Sequence, residues 1–228
     1  MGRKIFFIVA VSGLLSELLF AFTETHYYEN GLVREIAEYN DSNESMVQRY
    51  REGKTTAFYE DGETVAYTIN FKKGKEEGDK VWYDKEGHVI GVMPYRHGLR
   101  HGQHTLYYSN GKKRLEVHFV NDLEEGSYRE YYENGILALE VTYKKGRKEG
   151  VQKEYYPDGK LQATVTYLNG YKEGEKKEYD KNGTVISVVT FERDRPVEAM
   201  KKLEAKKEDA SQKFLNTLNF NPNEHHMR

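Results

Sequence analysis

The sequence predicts a mainly β protein. It reads as an elongated antiparallel array of β-hairpins in meander order, with a C-terminal α-helix and an N-terminal signal segment. Three observations carry that reading. Turn dipeptides recur at a nearly constant 24-residue step. The residues between them alternate apolar and polar, the period of a half-buried strand rather than a helix. The chain also holds 19 Tyr and 10 Phe in 228 residues, far too many aromatics for a disordered polymer.

Composition narrows the function classes. Lys+Arg number 35 against 37 Asp+Glu, a net charge of −2, whereas a nucleic-acid binder needs a clustered basic excess. Hydrophobic residues are only 37%, so no large globular core is expected. The absence of cysteine removes disulfides, thiolate metal sites, a cysteine nucleophile and a lipidated cysteine.

Taken in order, Arg3 and Lys4 precede an apolar run from Ile5 to Leu15, which resumes at Leu18–Phe22 after Ser16 and Glu17. The first run has the length of a signal-peptide core and is short of the ~20 residues a spanning helix needs. A retained anchor is the alternative, with Glu17 then in hydrocarbon at a cost of roughly 2–3 kcal/mol or more. The preferred cut follows Ala21, giving a signal peptide over 1–21 and an exported chain with no membrane span once it is removed. Its destination would be the periplasm, the cell surface or the medium.

The array follows over 22–191. Its turns are Asn30-Gly31, Asp61-Gly62, Glu86-Gly87, Asn110-Gly111, Asn134-Gly135, Asp158-Gly159 and Asn182-Gly183. A second series, Gly78, Gly102, Gly126, Gly150 and Gly174, keeps the same step, and Gly53 extends it backwards. Excess residues fall in a polar insertion at Asn40–Glu44 and as one residue between Gly62 and Phe71, where a β-bulge is expected. Strands after each turn place apolar residues at even positions, as in Leu137, Leu139, Val141 and Tyr143. Shorter strands before each turn end in aromatics, so each unit is a hairpin and seven in series make a meander.

Two aromatic positions are filled in every unit. One is Tyr27, Phe58, Tyr83, Tyr107, Tyr131, Tyr155 and Tyr179; the other is Tyr39, Phe71, Tyr95, Phe119, Tyr143, Tyr167 and Phe191. These fourteen residues are the expected structural ladder. A three-residue loop with Gly135 in the left-handed region would pair Tyr131 with Leu137 and is expected to bring both series to one face.

The phrases Tyr-Tyr-Glu-Asn-Gly (131–135), Tyr-Lys-Lys-Gly-Arg-Lys-Glu-Gly (143–150) and Tyr-Tyr-Pro-Asp-Gly (155–159) resemble the MORN repeat variant family. The likeness runs from about Tyr27 to Phe191. Departures are the insertion after Tyr39, Asp122 in place of a glycine, and Asp84 and Asp180 in place of the second tyrosine. The resemblance implies an elongated, non-enzymatic β-array. It also implies an exported interaction protein, with an antitoxin- or immunity-like protein that neutralises a toxin as the alternative.

From Glu192 the pattern changes. Asp194 and Pro196 suit a helix start, and Met200, Leu203, Ala210, Phe214 and Leu218 form one narrow apolar stripe. The residues over 192–228 therefore predict a helix from about Pro196 to Asn216 and a frayed tail. That helix either caps the last hairpin, as repeat arrays require, or meets a partner.

No residue set has a catalytic logic, and no cofactor is expected. His97, His101 and His104 form the one histidine cluster, on a turn and without a carboxylate to complete a metal site. The mixed charges around Arg147–Glu149 and Tyr171–Glu173 read as solubility. The candidate partner-binding residues are the second tyrosines, Tyr28, Tyr59, Tyr108, Tyr132 and Tyr156, which should recur every ~10 Å on an exposed face. Rigid amphipathic rings are good contact residues, so a protein or cell-surface component is the expected partner.

Overall fold

The structure is a computed structural model that describes residues 4–5, 20–41, 50–198 and 207–213. It is one antiparallel sheet in meander order. The strands are β1 (Lys4–Ile5), β2 (Phe20–Tyr27), β3 (Val33–Asp41), β4 (Arg51–Phe58), β5 (Val65–Lys72) and β6 (Lys75–Tyr83). They continue as β7 (Val89–Arg96), β8 (Leu99–Arg100), β9 (Gly102–Tyr107), β10 (Lys113–Val120), β11 (Leu123–Tyr131) and β12 (Leu137–Lys144). The series ends with β13 (Arg147–Tyr155), β14 (Leu161–Leu168), β15 (Tyr171–Tyr179), β16 (Val185–Glu192) and β17 (Arg195–Pro196). Each strand pairs with its neighbours in sequence, and β8 and β9 together occupy one row against β7.

The apolar run over 6–19 lies outside the described residues. Ala21 sits in β2 opposite Asn40, and Lys4 and Ile5 pair with Glu24 and Thr23. The insertion opens at Asn40, whose main chain and side chain both bond Tyr50, while 42–49 lie outside the described residues. The extra residue near Gly62 is not a strand bulge. It enlarges the turn: Tyr59 N–H donates to the Thr64 carbonyl, one residue further on than the Tyr132 to Ile136 bond of a regular unit. Asp61 stabilises that wider loop by accepting from the amides of Glu63 and Thr64.

The regular turn is the three-residue loop expected. Tyr131 pairs with Leu137, Gly135 has φ 89°, and its amide donates to the Tyr132 carbonyl. The expected face for Tyr131 is wrong, however, and the reason is a one-residue register step. Glu130 opposes Leu139 and Tyr131 opposes Leu137, so Ala138 is unmatched and the strand parity flips at Tyr131. The Tyr131 and Tyr155 hydroxyls reach Glu116 (2.6 Å) and Glu140 (2.9 Å), which alternate with buried Val117 and Val141. The two aromatic series therefore lie on opposite faces.

The buried column is also narrower than the fourteen-residue ladder. It runs through Ala37, Ile69, Met93, Val117, Val141 and Val165, one in the middle of each second strand but the last. Of the ladder only Phe119 is fully buried; Tyr27 is exposed and the others are half-buried. No second layer of secondary structure packs on this column among the described residues, so long side chains cover it instead. Arg51 lies over Phe71 (5.2 Å), Arg100 over Phe119 (4.2 Å), Lys148 over Tyr167 (5.0 Å) and Lys172 over Phe191 (5.3 Å). These basic stems bury their methylenes on the rings and keep their charged ends wet. Burial lowers the Lys148 pKa accordingly.

The C-terminal expectations need correction at their start. Asp194 does not cap a helix: its carboxylate accepts the Lys172 amide in a turn where Asp194 itself has φ 66°. Pro196 pairs with Phe191 as strand. Helical backbone appears at 197–198 and 207–213, while Met200, Leu203, Phe214 and Leu218 lie outside the described residues. Ala210 and all its neighbours over 207–213 are exposed, so these residues do not cover the last hairpin.

The narrow column predicts where stability resides. Ile69→Ala, at 2% exposure, should lower unfolding free energy by about 2–5 kcal/mol in chemical denaturation. Leu168→Ala, at 51% exposure, should change it by less than about 0.5 kcal/mol.

Candidate functional site

The five second tyrosines occupy one edge of the array, at the mouths of the three-residue turns. Their expected exposure is corrected by the structure: all five rings are half-buried. Each hydroxyl donates to the main-chain carbonyl of the first aromatic in the next unit. The bonds are Tyr28 to Phe58, Tyr59 to Tyr83, Tyr108 to Tyr131 and Tyr132 to Tyr155, each 2.6 Å, and Tyr156 to Tyr179 at 2.9 Å. Turn asparagines extend the same edge, Asn110 donating to the Glu133 carbonyl and Asn134 to that of Pro157. Where aspartate replaces tyrosine, the bond turns inward. Asp84 accepts the amides of Glu86 and His88, and Asp180 those of Asn182 and Thr184, within their own turns.

The opposite edge carries a second set that the sequence reading took for solubilising charge. A glutamate stands before every second-series glycine except Gly102, which follows His101, and caps the following turn. Glu52, Glu77, Glu125, Glu149 and Glu173 accept the amides of Lys73, His97, Lys145, Asn169 and Arg193 at 2.6–3.2 Å. Each amide belongs to a residue at φ 47–55°, a left-handed conformation that L side chains resist without local support. The Glu-Gly phrase recurring every 24 residues was the available signal, because one carboxylate per turn at a fixed register is a structural spacing.

The three histidines separate. His97 lies 3.4 Å from Glu77, the His101 ring is 3.3 Å from Asn121, and His104 packs against Phe119 with its pKa lowered by burial. Among the described residues no group of three or more His, Asp or Glu is arranged to hold a metal ion. No helix there is long and apolar enough to cross a membrane.

One concavity stands out, a cleft of about 530 Å³ where the first two tyrosine-edge turns meet the third. Tyr28, Tyr59 and Tyr67 form aromatic walls, and exposed Arg34, Glu60 and Lys85 stand around them. The Lys85 ammonium lies 5.9 Å from the Tyr59 ring centre. Beneath, buried Glu35 is neutralised by Arg51 at 2.5 Å. Burial, then the Glu35 charge, raises the Tyr67 pKa, so that wall stays a neutral phenol. Aromatic surfaces edged by separate charges of both signs suit an extended polar chain better than a reacting centre.

Four tandem matches to the MORN repeat variant cover residues 100–121, 124–145, 148–169 and 172–193. These are MORN-variant repeats. Each match begins two residues past one positive-φ turn of that edge and closes at the first residue of the next, Asn121, Lys145, Asn169 or Arg193, so the matched block is one interval of that edge. No curated protein matches the chain. The meander continues from this MORN-variant segment back to Tyr28, with Tyr59 and Tyr28 making the same edge bond and Asp84 interrupting it.

Two predictions follow the two kinds of tyrosine. Tyr132→Phe keeps the ring and deletes one inter-repeat bond, and should cost about 1 kcal/mol in denaturation. The first-series phenols report on pH. Burial first, and then the Glu116 and Glu140 hydrogen bonds, push Tyr131 and Tyr155 up to about 12. Their contribution is complete below pH ~10, the unfolded value, and is lost as pH rises through about 12. Phenolate absorbance should show these late titrations, and Glu116→Gln should move one of them towards 10.

Proposed function

We propose that this MORN-variant chain is an exported, non-catalytic binding module. It holds a protein or surface-glycan partner along its tyrosine edge, with the cleft beside Tyr28 and Tyr59 as the first point of contact. The observation that carries this reading is the cleft itself, where ordered tyrosine rings meet exposed Arg34, Glu60 and Lys85 on a scaffold that repeats sideways. Tyrosine rings held by a hydroxyl bond to main chain lose little entropy on contact, which favours their use in recognition. Tyr108, Tyr132 and Tyr156 extend the same surface at the spacing of two strands, so a long partner gains contacts unit by unit. Export is supported by Arg3 and Lys4 ahead of the apolar run from Ile5.

Two measurements test this. N-terminal sequencing of the protein purified from its source should begin near Phe22; recovery of Met1 in a membrane fraction would replace export with a retained anchor. Affinity capture from an envelope extract should retain a defined partner, which the double variant Arg34→Glu, Lys85→Glu loses at least tenfold. Both side chains are exposed, so the melting temperature should stay within a few degrees. Undiminished capture would remove the cleft from the contact.

A further inference from the structure

The last second strand is unlike the others. In β14, Val165 is 4% exposed because β15 covers its outer side, with Ala163, Thr164 and Val165 opposite Glu178, Lys177 and Lys176. The same slot in β16 is Val189, at 36%. Val185 (46%), Ile186 (63%) and Val188 (50%) are exposed with it. The covering strand stops short: β17 pairs Pro196 with Phe191 and Arg195 with Glu192, and residues 197–198 then turn helical. Proline has no amide to donate, so the ladder cannot be carried on through it as a central strand. Among the described residues nothing pairs with the outer side of 185–190.

Uncharged second strands recur in the array, at 65–71 of β5, 89–95 of β7 and 161–167 of β14, but each of these has a further strand paired along it, whereas β16 is paired on its outer side only at Phe191 and Glu192. First strands within the array are charge-rich, as in β15 with Lys172, Glu173, Glu175, Lys176, Lys177 and Glu178. From Val185 to Phe191 β16 carries no charge on either face. An open, uncharged strand with apolar residues on both sides is what sheet proteins normally blunt, because it pairs with its like. Phe191 is already occupied by Pro196, which restricts pairing to 185–190.

We infer that β16 is a homodimer interface, in which two copies of the chain pair these strands antiparallel about a two-fold axis through Ser187. That register keeps same-face residues opposite one another. Val185 meets the partner's Val189 on one face, and Ile186 meets the partner's Val188 on the other, each pair occurring twice. Each of the four exposed apolar residues thereby gains an apolar cross-strand neighbour. The two-fold is isologous and closes, so it yields a dimer and not a fibre. The sheet continues across it with the antiparallel sense of every other strand pair.

The test is sedimentation velocity on the full chain over a range of concentrations, with circular dichroism as the fold control. The wild type should show a concentration-dependent dimer. I186K alone and V188E alone each place one uncompensated charge at the seam and should weaken the dimer at least tenfold with melting temperatures nearly unchanged. The double variant I186K/V188E sets each lysine against the partner's glutamate and should restore association in low salt. A wild type that stays monomeric at every concentration overturns the inference, as does a dimer indifferent to I186K. Failure of the double variant to recover overturns the Ser187-centred register, and growth into longer oligomers overturns the closed two-fold.

Discussion

The structure depends on one kind of bond: a side chain of one turn reaching the main chain of the next. A single β-sheet with no second layer buries too little apolar surface to hold its hairpins in line, and isolated hairpins are marginal in water. Here most hairpins are tied to their successor at both ends, the tyrosine tie being absent at Asp84 and the glutamate tie at His101. Tyrosine hydroxyls do so on one edge and glutamate carboxylates on the other. The bonds are local in space and 20–30 residues apart in sequence, which is the length of one unit. The recurring 24-residue step is thus a bonding requirement. A unit one residue longer or shorter must absorb the change where neither edge is disturbed, as the wider loop around Asp61 does.

Within that frame the core is shallow and its cover is chemical. Val117, Val141 and Val165 are each 4% exposed although, among the described residues, nothing but side chains lies above them. Basic residues laid over the second-series rings close the surface on that face, while carboxylates bonded to first-series phenols do so on the other. The high charge content is therefore structural at many positions. Arg51, Arg100, Lys148 and Lys172 shield aromatic rings, and Glu52, Glu77, Glu125, Glu149 and Glu173 hold turns, so few of these charges are idle.

Most of the architecture was legible in the sequence, because periodicity is a property of spacing. The turn glycines, the period-two strands, the meander and the Tyr131–Leu137 pairing all follow from it. What spacing could not report is parity. A single unmatched residue, Ala138 in its unit, moves Tyr131 to the opposite face, and no letter in the sequence marks it. The second tyrosines were read as exposed because alternation alone assigns a ring to a face and says nothing of where its hydroxyl ends. Their half-burial comes from a carbonyl one unit away. The cleft was invisible for a similar reason, since it joins residues of three units through turns of unequal length. The roles of Asp194 and Pro196 were misread because helix-start signals and turn signals share the same residue types.

Asp84 bears on how the array bends. It stands where tyrosine would reach from the third unit to the fourth, and it bonds only its own turn. The tyrosine edge is therefore unstitched between residue 84 and Tyr107, while the facing edge keeps its bonds on both sides of that point, Glu77 to the His97 amide and Arg100 to the carboxylate and carbonyl of Asp122. The interruption of the strand between β8 and β9 falls in the same place. A ribbon fastened along one margin and open along the other has a pivot. Bending at this level is therefore resisted less on the tyrosine edge than on the facing one, and the first three units, with the cleft beside Tyr28, are what such a bend would carry.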